Sequence, residues 1–335
     1  MVETMKMCPI CKQETKYMGT NCSHCNNSYA FVNSFMSEAA YQTWVKMIAA
    51  KSQERNDRVA NNFLKNRITI ENGAACIYNA GENSVAICNG NGFVQHIDNI
   101  LQYCASVHHQ VMLMVDGSLT VSGDCGYDMS ELKNIKQVYT ATGATYAIDN
   151  NGSVIVTGIS PIQNQVCQWK DVKKLIGNRG RLVALTEMGN VLIADDTIND
   201  TQNLNANATN AVDIATSYNC TIWLNADGTI GFNGRASDPR SEVEKWNNIK
   251  SIAVENYYAV GLTTEGRVLL AGESISSLDL GRSEAATWEN VIYVACSNSA
   301  IVGVFMDGTV KIVGNMAKKD AIEREIQQEI AKFFN

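Results

Sequence analysis

Residues 111–123 read VMLMVDGSLTVSG, two apolar runs joined at an Asp-Gly pair. Short alternating runs around such a pair predict a β-hairpin. Five later segments share the pattern: YAIDNNGSVIVTG (146–158), VALTEMGNVLIAD (183–195), IWLNADGTIGFNG (222–234), VGLTTEGRVLLAG (260–272) and VGVFMDGTVKIVG (302–314). The six turn glycines recur every 35–42 residues, at Gly117, Gly152, Gly189, Gly228, Gly266 and Gly308. A period of this length is typical of propeller blades.

The chain around these hairpins extends the repeat. A weaker copy, CIYNAGENSVAIC (76–88), precedes the first hairpin. Each of the six hairpins also follows another short apolar segment: NILQYCAS (99–106), NIKQVYTA (134–141), DVKKLIGN (171–178), NAVDIATS (210–217), NIKSIAVE (248–255) and NVIYVACS (290–297). One small sheet cannot bury both of its faces, so neighbouring sheets must stack and the ring must close. The sequence therefore predicts an all-β fold, a seven-bladed β-propeller over residues 67–315.

Each apolar segment and the hairpin after it together follow the pattern W-x-x-[IV]-x-x-[IV], then [AV]-x-L-x-x-[DE]-G-x-[VI]-x-x-x-G. Trp169, Trp246 and Trp288 begin three of the copies. This pattern resembles the repeat of the regulator of chromosome condensation family. The resemblance implies a propeller scaffold, and relatives on this scaffold hold another protein against one propeller face. The family histidine stands only at His109 here, and Asp195 replaces the second glycine of the fourth copy. We expect the three tryptophans to belong to the blade core.

Two CxxC pairs, CPIC (8–11) and CSHC (22–25), lie near the start of the chain. Such pairs direct four thiolates at one ion, and this tetrahedral sulfur shell suits zinc. Because the shell is closed, we expect a structural Zn²⁺ whose binding folds a segment too short for its own core. The segment resembles the short zinc ribbons that often begin bacterial proteins. We predict a zinc ribbon over residues 1–33 with the ligands Cys8, Cys11, Cys22 and Cys25.

Two segments outside the repeat have helical periodicity. Residues 34–66 lack proline and glycine and predict a linker helix. Residues 316–335 predict a C-terminal amphipathic helix with an apolar stripe at Ile322, Ile326, Ile330 and Phe333. Two interpretations stay open: the helices pack on the main body or on each other, or they form a helix pair for dimerisation into a homo-oligomer or for docking a partner.

Composition narrows the functional classes. The chain has 335 residues, 45% of them hydrophobic, and a formal net charge of −7. This composition favours a globular protein, and the acidic balance disfavours nucleic acid as a partner. No apolar run is long enough for a membrane span, and the scattered cysteines and the start of the chain favour a cytoplasmic protein. Phosphate loops, GxSxG elbows and HExxH motifs are absent from the sequence, so we expect no enzyme.

The topology of an up-and-down blade places the predicted binding surface. The loops after the first and third strands of each blade share one propeller face, and the glycine turns lie on the other. Rigid blades with divergent loops make a recognition surface, and tyrosine and arginine often anchor partners. We expect a protein partner to contact Tyr127, His108, Arg179, Tyr218, Arg235, Tyr257 and Tyr258.

Two alternatives to this protein-binding adaptor stay open. The first is a sensor or sequestering protein for a small anionic, nucleotide-like ligand in the central funnel. The residues expected to line that funnel are His108, Arg179, Tyr218 and Tyr257. The second and weaker alternative is contact with nucleic acid through the zinc ribbon, because residues 1–66 carry a small excess of basic residues.

Overall fold

The computed structural model describes residues 5–7, 14–16, 67–71, 74–79, 82–105, 109–123, 126–130, 132–141, 143–178, 180–196, 208–235, 237–272, 281–297 and 299–331. The chain divides into two compact units, residues 1–62 and 63–335. In the first unit, strand β1 (Met5–Met7) pairs antiparallel with β2 (Glu14–Lys16). The four predicted zinc ligands and the predicted linker helix lie outside the described residues.

The second unit contains seven antiparallel sheets in the part of the chain that is described, each built from strands consecutive in sequence. Sheet 1 has four strands: β3 (Arg67–Glu71), β4 (Ala74–Asn79), β5 (Ser84–Cys88) and β6 (Val94–Asp98). Sheets 2 to 4 have three each: β7 (Ile100–Ala105), β8 (His109–Met114), β9 (Leu119–Gly123); β10 (Ile135–Thr140), β11 (Ala144–Asp149), β12 (Val154–Gly158); β13 (Val172–Asn178), β14 (Arg181–Thr186), β15 (Val191–Asp195). Sheets 5 to 7 also have three each: β16 (Ala211–Thr216), β17 (Thr221–Asn225), β18 (Ile230–Asn233); β19 (Ile249–Val254), β20 (Tyr258–Thr263), β21 (Val268–Gly272); β22 (Val291–Cys296), β23 (Ala300–Phe305), β24 (Val310–Gly314). The prediction of a seven-bladed propeller is confirmed.

The first strands of the sheets form the inner wall of the ring. From sheet 2 to sheet 7, each first strand contacts the first strand of the following sheet, and β22 of sheet 7 contacts β3 of sheet 1. A side chain seals this last junction. The Tyr293 hydroxyl donates to the Ile68 carbonyl and accepts from the Ile68 amide, both at 3.0 Å.

Glutamine side chains join two other junctions of the inner wall. The Gln102 amide donates to the Val138 carbonyl (2.7 Å) and accepts from the Val138 N–H (3.0 Å). Gln137 does the same to Leu175 of the next sheet, at 3.2 and 2.7 Å. Because a carboxamide carries one donor and one acceptor in the geometry of a peptide group, each glutamine acts as an additional rung between sheets.

The glycine turns also link neighbouring sheets. Gly152 has φ 77°, and its carbonyl accepts from the Val172 amide of the next sheet at 2.9 Å. A Cβ added there would lie 3.1 Å from the backbone of Asp171, which itself has φ 54°. Four asparagines occupy the equivalent place before other sheets with φ of 55–60°, at Asn99, Asn134, Asn248 and Asn290. Asparagine and aspartate tolerate this left-handed region, which explains why the signature begins with them.

The tryptophans of the repeat pack inside the blades, as expected. Trp288 is 3% exposed and lies over Gly303, where an added Cβ would be 2.4 Å from the indole ring. Trp246 lies over Gly261 in the same way, at 2.7 Å. Trp169 is partly buried against the core between sheets 3 and 4.

Helical segments complete the second unit. They are a short helix α1 (Gln163–Val166), two 3₁₀ helices, η1 (Pro239–Lys245) and η2 (Arg282–Thr287), and the C-terminal helix α2 (Lys319–Ala331). Among the helices described, none combines the length and apolar character that crossing a membrane requires.

Helix α2 fastens the last sheet to the first. Its residues Ile322, Ile326 and Ile330 are fully buried, and the helix contacts β24 of sheet 7 and β4 and β5 of sheet 1. The Glu325 carboxylate accepts from the Gly90 and Gly92 amides at 2.8 and 2.9 Å. For this helix, packing on the main body is therefore the correct interpretation, because the isoleucine stripe is already covered.

Candidate functional site

The propeller has two faces that the strand order distinguishes. We call the face with the turns between second and third strands the turn face. The opposite face, with the loops after first and third strands, is the loop face. Each first strand runs from the turn face to the loop face, so its last residue and the loop after it reach the loop face.

Two of the predicted tyrosines lie together on the loop face. Tyr218 follows β16 of sheet 5 and Tyr257 follows β19 of sheet 6, and their side chains are 46% and 44% exposed. The Tyr218 N–H donates to the Asn256 side-chain oxygen at 3.2 Å, which joins the two loops. Arg235, also predicted, is exposed at the start of the loop after sheet 5.

A buried arginine holds these loops in place. Arg240 of η1 is 2% exposed, and its guanidinium donates to Ser217 Oγ (2.8 Å) and to the Glu255 carbonyl (2.7 Å). It also donates to Asn219 Oδ1 (2.5 Å) and pairs with the Asp238 carboxylate, whose Oδ1 lies 2.9 Å from Arg240 Nε. These groups come from the loop after β16, the loop after β19 and the loop after β18. We call this set the Arg240 network.

The other predicted partner residues divide into two groups. Tyr127 is half-buried, and its hydroxyl lies 3.2 Å from His109 Nε2 and 3.0 Å from Thr145 Oγ1, between sheets 2 and 3. Tyr258 is only 7% exposed and its hydroxyl donates to the Ala300 carbonyl at 3.1 Å, so it supports the sheets and is not a surface contact. Burial raises the pKa of Tyr258, which keeps the phenol neutral and able to donate. His108 and Arg179 lie outside the described residues.

Sequence reasoning missed the buried arginines. The loops before sheets 6 and 7 both contain Arg-Ser-Glu, at 240–242 and 282–284, and this shared tripeptide was the available signal. Arg282 is 5% exposed, and its guanidinium lies 4.4 Å from the centre of the Tyr258 ring. A cation over an aromatic face is a stabilising contact when it is desolvated.

The unusual Asp195 also has a buried partner. Arg181 Nε donates to Asp195 Oδ2 at 2.8 Å, and the two side chains are 6% and 4% exposed. The two residues are directly opposite in the pairing of β14 with β15. Arg181 takes the place that His109 has in sheet 2, where the residue opposite is Gly123. In the fourth copy, an arginine–aspartate pair therefore stands where sheet 2 has a histidine opposite a glycine.

A channel of about 910 Å³ runs along the first strands through the ring. Its lining includes Lys136, Lys173, Lys174 and Asp213 near the starts of these strands and Glu255 at the loop-face end. Burial raises the pKa of Glu255 to about 7, against the lowering effects of the Asn256 N–H and the Arg240 charge. Tyr218 and Tyr257, predicted to line a central funnel, are not among the residues that line this cavity.

Metal ligands cannot be identified in the part of the chain that is described. No group of three or more histidine, cysteine, aspartate or glutamate side chains is arranged there to hold an ion. Among the described residues, Cys76, Cys88, Cys104, Cys167, Cys220 and Cys296 are not joined in disulfides. The predicted site at Cys8, Cys11, Cys22 and Cys25 falls outside these residues.

The chain matches no protein-family model and no curated protein. Similar solved structures include the CRINKLY WD40 ectodomain of the Arabidopsis thaliana receptor kinase ACR4, with 15% identity, 64% of this chain and 85% of that chain covered, and a TM-score of 0.49. Human WBSCR16 (12% identity, 68% and 79% covered) and Prp20p from Saccharomyces cerevisiae (12%, 78% and 85%) both have a TM-score of 0.48. These likenesses agree with the propeller architecture that the seven sheets establish, and they carry no functional conclusion.

Proposed function

We propose that this chain is a non-enzymatic binding protein that holds a protein partner on its loop face. The observation that carries the proposal is the exposed pair Tyr218 and Tyr257, which stands on loops fixed by the Arg240 network. Exposed aromatic side chains near the centre of a rigid patch are typical anchors of protein interfaces. Arg235 on the same face adds a cation that suits a carboxylate of the partner.

Rigidity of the loops supports this proposal energetically. Ordering a flexible loop on binding costs free energy that reduces affinity. Here the Arg240 guanidinium bonds to groups of three loops at once, so the tyrosines are already positioned before a partner arrives. A buried anchor tyrosine contributes about 2 kcal/mol or more to binding, which corresponds to an approximately 30-fold change in affinity.

The test compares the two faces with matched substitutions. Tyr218→Ala and Tyr257→Ala remove exposed rings from the loop face, whereas Val115→Ala and Met188→Ala remove exposed apolar side chains (47% and 76%) from the turn face. A partner captured from native extract and then purified is titrated against each variant. We expect each tyrosine variant to weaken binding at least 10-fold and both turn-face variants to bind normally. Normal binding by the tyrosine variants, with loss in Val115→Ala or Met188→Ala, would refute the proposal.

We further propose that residues 1–33 form a structural zinc ribbon with Cys8, Cys11, Cys22 and Cys25 as ligands. The supporting observation is the pairing of β1 with β2, because residues 8–13, including CPIC, connect these two antiparallel strands. Elemental analysis of the full chain should find one zinc per chain, and the double variant Cys8→Ser/Cys11→Ser should contain none. Zinc that remains stoichiometric in that variant would contradict the ligand set.

A further inference from the structure

The channel has a charge distribution unlike that of the whole molecule. The chain has a formal net charge of −7, yet three lysines line the channel against two carboxylates. Lys136 and Lys173 occupy the second position of β10 and β13, and Lys174 follows Lys173. All three therefore come from the starts of adjacent first strands, at the turn-face end of the channel.

Neighbouring acids offset only part of this positive charge. Lys174 Nζ pairs with Asp213 Oδ1 at 2.5 Å and also donates to the Ile214 carbonyl. Lys136 lies 3.9 Å from Glu187, whose side chain is 58% exposed, so solvent screens that pair. Lys173 has no ion-pair partner among the residues that the structure describes. Lys136 and Lys173 are exposed, so they lie at the turn-face mouth of the channel, where an entering anion would meet them first. A cleft with an excess of positive charge attracts anions.

Beyond the lysines, the lining of the channel contains polar atoms that lack hydrogen-bond partners among the described residues, in the middle of β3 and at the loop-face end. Within the described part of the chain, only three buried side-chain nitrogen or oxygen atoms make no hydrogen bond, and two of them, Thr69 Oγ1 and Glu255 Oε2, belong to residues of the channel lining. A buried polar atom without a partner is costly, so such atoms indicate where a ligand or ordered water binds. When the first strands are aligned from their starts, Glu255 stands four positions after Lys174. Four residues of a strand span about 13 Å, which is the distance along the channel between the two positions.

We propose that the channel binds a small organic phosphate, with its phosphate at Lys136, Lys173 and Lys174 and its hydroxyl-bearing part at Thr69 and Glu255. The volume of about 910 Å³ lies within the range of small-molecule sites. Lysine binds phosphate as a point charge, and a sugar hydroxyl can donate to the Glu255 carboxylate. This site is separate from the loop-face tyrosines, so it goes beyond the proposed function and does not depend on it.

The test is calorimetric titration of the full-length protein with adenosine monophosphate, ribose 5-phosphate, inorganic phosphate and adenosine. We expect both organic phosphates to bind at least 10-fold more tightly than adenosine or inorganic phosphate. Lys173→Gln should weaken their binding at least 10-fold, whereas Lys170→Gln, three residues earlier and exposed outside the channel, should bind normally. Glu255→Gln should weaken the organic phosphates and leave inorganic phosphate unchanged.

Three results would overturn the proposal. The first is the absence of binding by both organic phosphates. The second is equal binding by Lys173→Gln and the unmodified protein. The third is inorganic phosphate binding as tightly as the organic compounds, which would show an adventitious ion only.

Discussion

On the turn face, one kind of backbone bond repeats at four junctions between sheets, whereas the described junctions near the loop face use different side chains. Four successive turn glycines, Gly152, Gly189, Gly228 and Gly266, each accept from the first amide of the next sheet at 2.9–3.0 Å. Near the loop face, His109 of sheet 2 bonds to Thr140 of sheet 3, and the Arg181 guanidinium of sheet 4 donates to Thr221 Oγ1 of sheet 5 at 3.4 Å. The comparison shows a scaffold whose joints are made by backbone on one side and by individual side chains on the other. Because the side-chain contacts near the loop face are not shared between sheets, the sequence can vary there from one sheet to the next.

The largest expected effect comes from removing Arg240. Its loss leaves the buried Asp238 carboxylate unpaired and the loops of sheets 5 and 6 without their common donor. We expect Arg240→Ala to lower the free energy of unfolding by about 4 kcal/mol. Urea denaturation measures this change. Arg235→Ala, exposed on the same loop, is the control and should change stability by less than about 0.5 kcal/mol. Equal stability of the two variants would contradict the role assigned to the network.

The Arg181–Asp195 pair tests whether a loop-face junction can be returned to the repeat pattern. Arg181→Ala leaves the buried Asp195 carboxylate without its ion-pair partner, so we expect the free energy of unfolding to fall by about 3 kcal/mol. Adding Asp195→Gly restores the glycine of the other copies and removes that charge. The double variant should therefore recover more than half of the loss in urea denaturation. A double variant that is no more stable than Arg181→Ala would show that the two positions are independent.

Glu255 predicts a pH dependence that originates at the loop-face end of the channel. Its folded pKa is raised from 4.5 to about 7, mainly by burial, with Arg240 and Cys296 as the charged or titratable neighbours. Between these values the folded state binds more protons than the unfolded state, so stability falls as pH rises from about 4.5 to 7 and stays low above. The loss is on the order of 2–3 kcal/mol. The free energy of unfolding is measured by urea denaturation at pH 5, 6, 7 and 8, and the Glu255→Gln variant should lack this decrease with rising pH. The same pH dependence in both proteins would exclude Glu255 as its source.

The smallest predicted effect on stability concerns the turn-face glycine Gly152. A substitution there has two separate costs, one from the left-handed backbone and one from the contact with the next sheet. Gly152→Ala introduces a Cβ at φ 77° and 3.1 Å from the next sheet, whereas Gly281→Ala introduces one at φ 83° with no atom of the described residues within 4 Å. Left-handed backbone alone costs an alanine about 1 kcal/mol. We expect Gly152→Ala to lose about 2 kcal/mol in thermal or urea unfolding and Gly281→Ala about half of that. Equal losses would mean that the close approach to the next sheet adds nothing.

The same contrast explains what could be predicted from sequence. Backbone joints need glycine or asparagine at fixed places, so the turn glycines and Asn99, Asn134, Asn248 and Asn290 recur and reveal the propeller. Side-chain joints use residues far apart in sequence and differ between sheets. Asp195 was recognisable as an exception, but its partner became evident only from the pairing of β14 with β15. Exposure of Tyr218 and burial of Tyr258 could not be told apart from the sequence either, because both stand a few residues after the end of a first strand.

The arrangement of strands around the ring has a consequence for biosynthesis. In the described part of the chain, each sheet consists of strands that follow one another in sequence, and sheet 1 contains no strand from the C-terminal end. Contacts within a sheet are therefore local, which favours rapid formation. Sheets can form in turn as the polypeptide leaves the ribosome, and the circle is sealed only when Tyr293 and Glu325 emerge. A nascent chain that stops before Tyr293 would carry six finished sheets with an open edge, the state in which we expect a chaperone to bind.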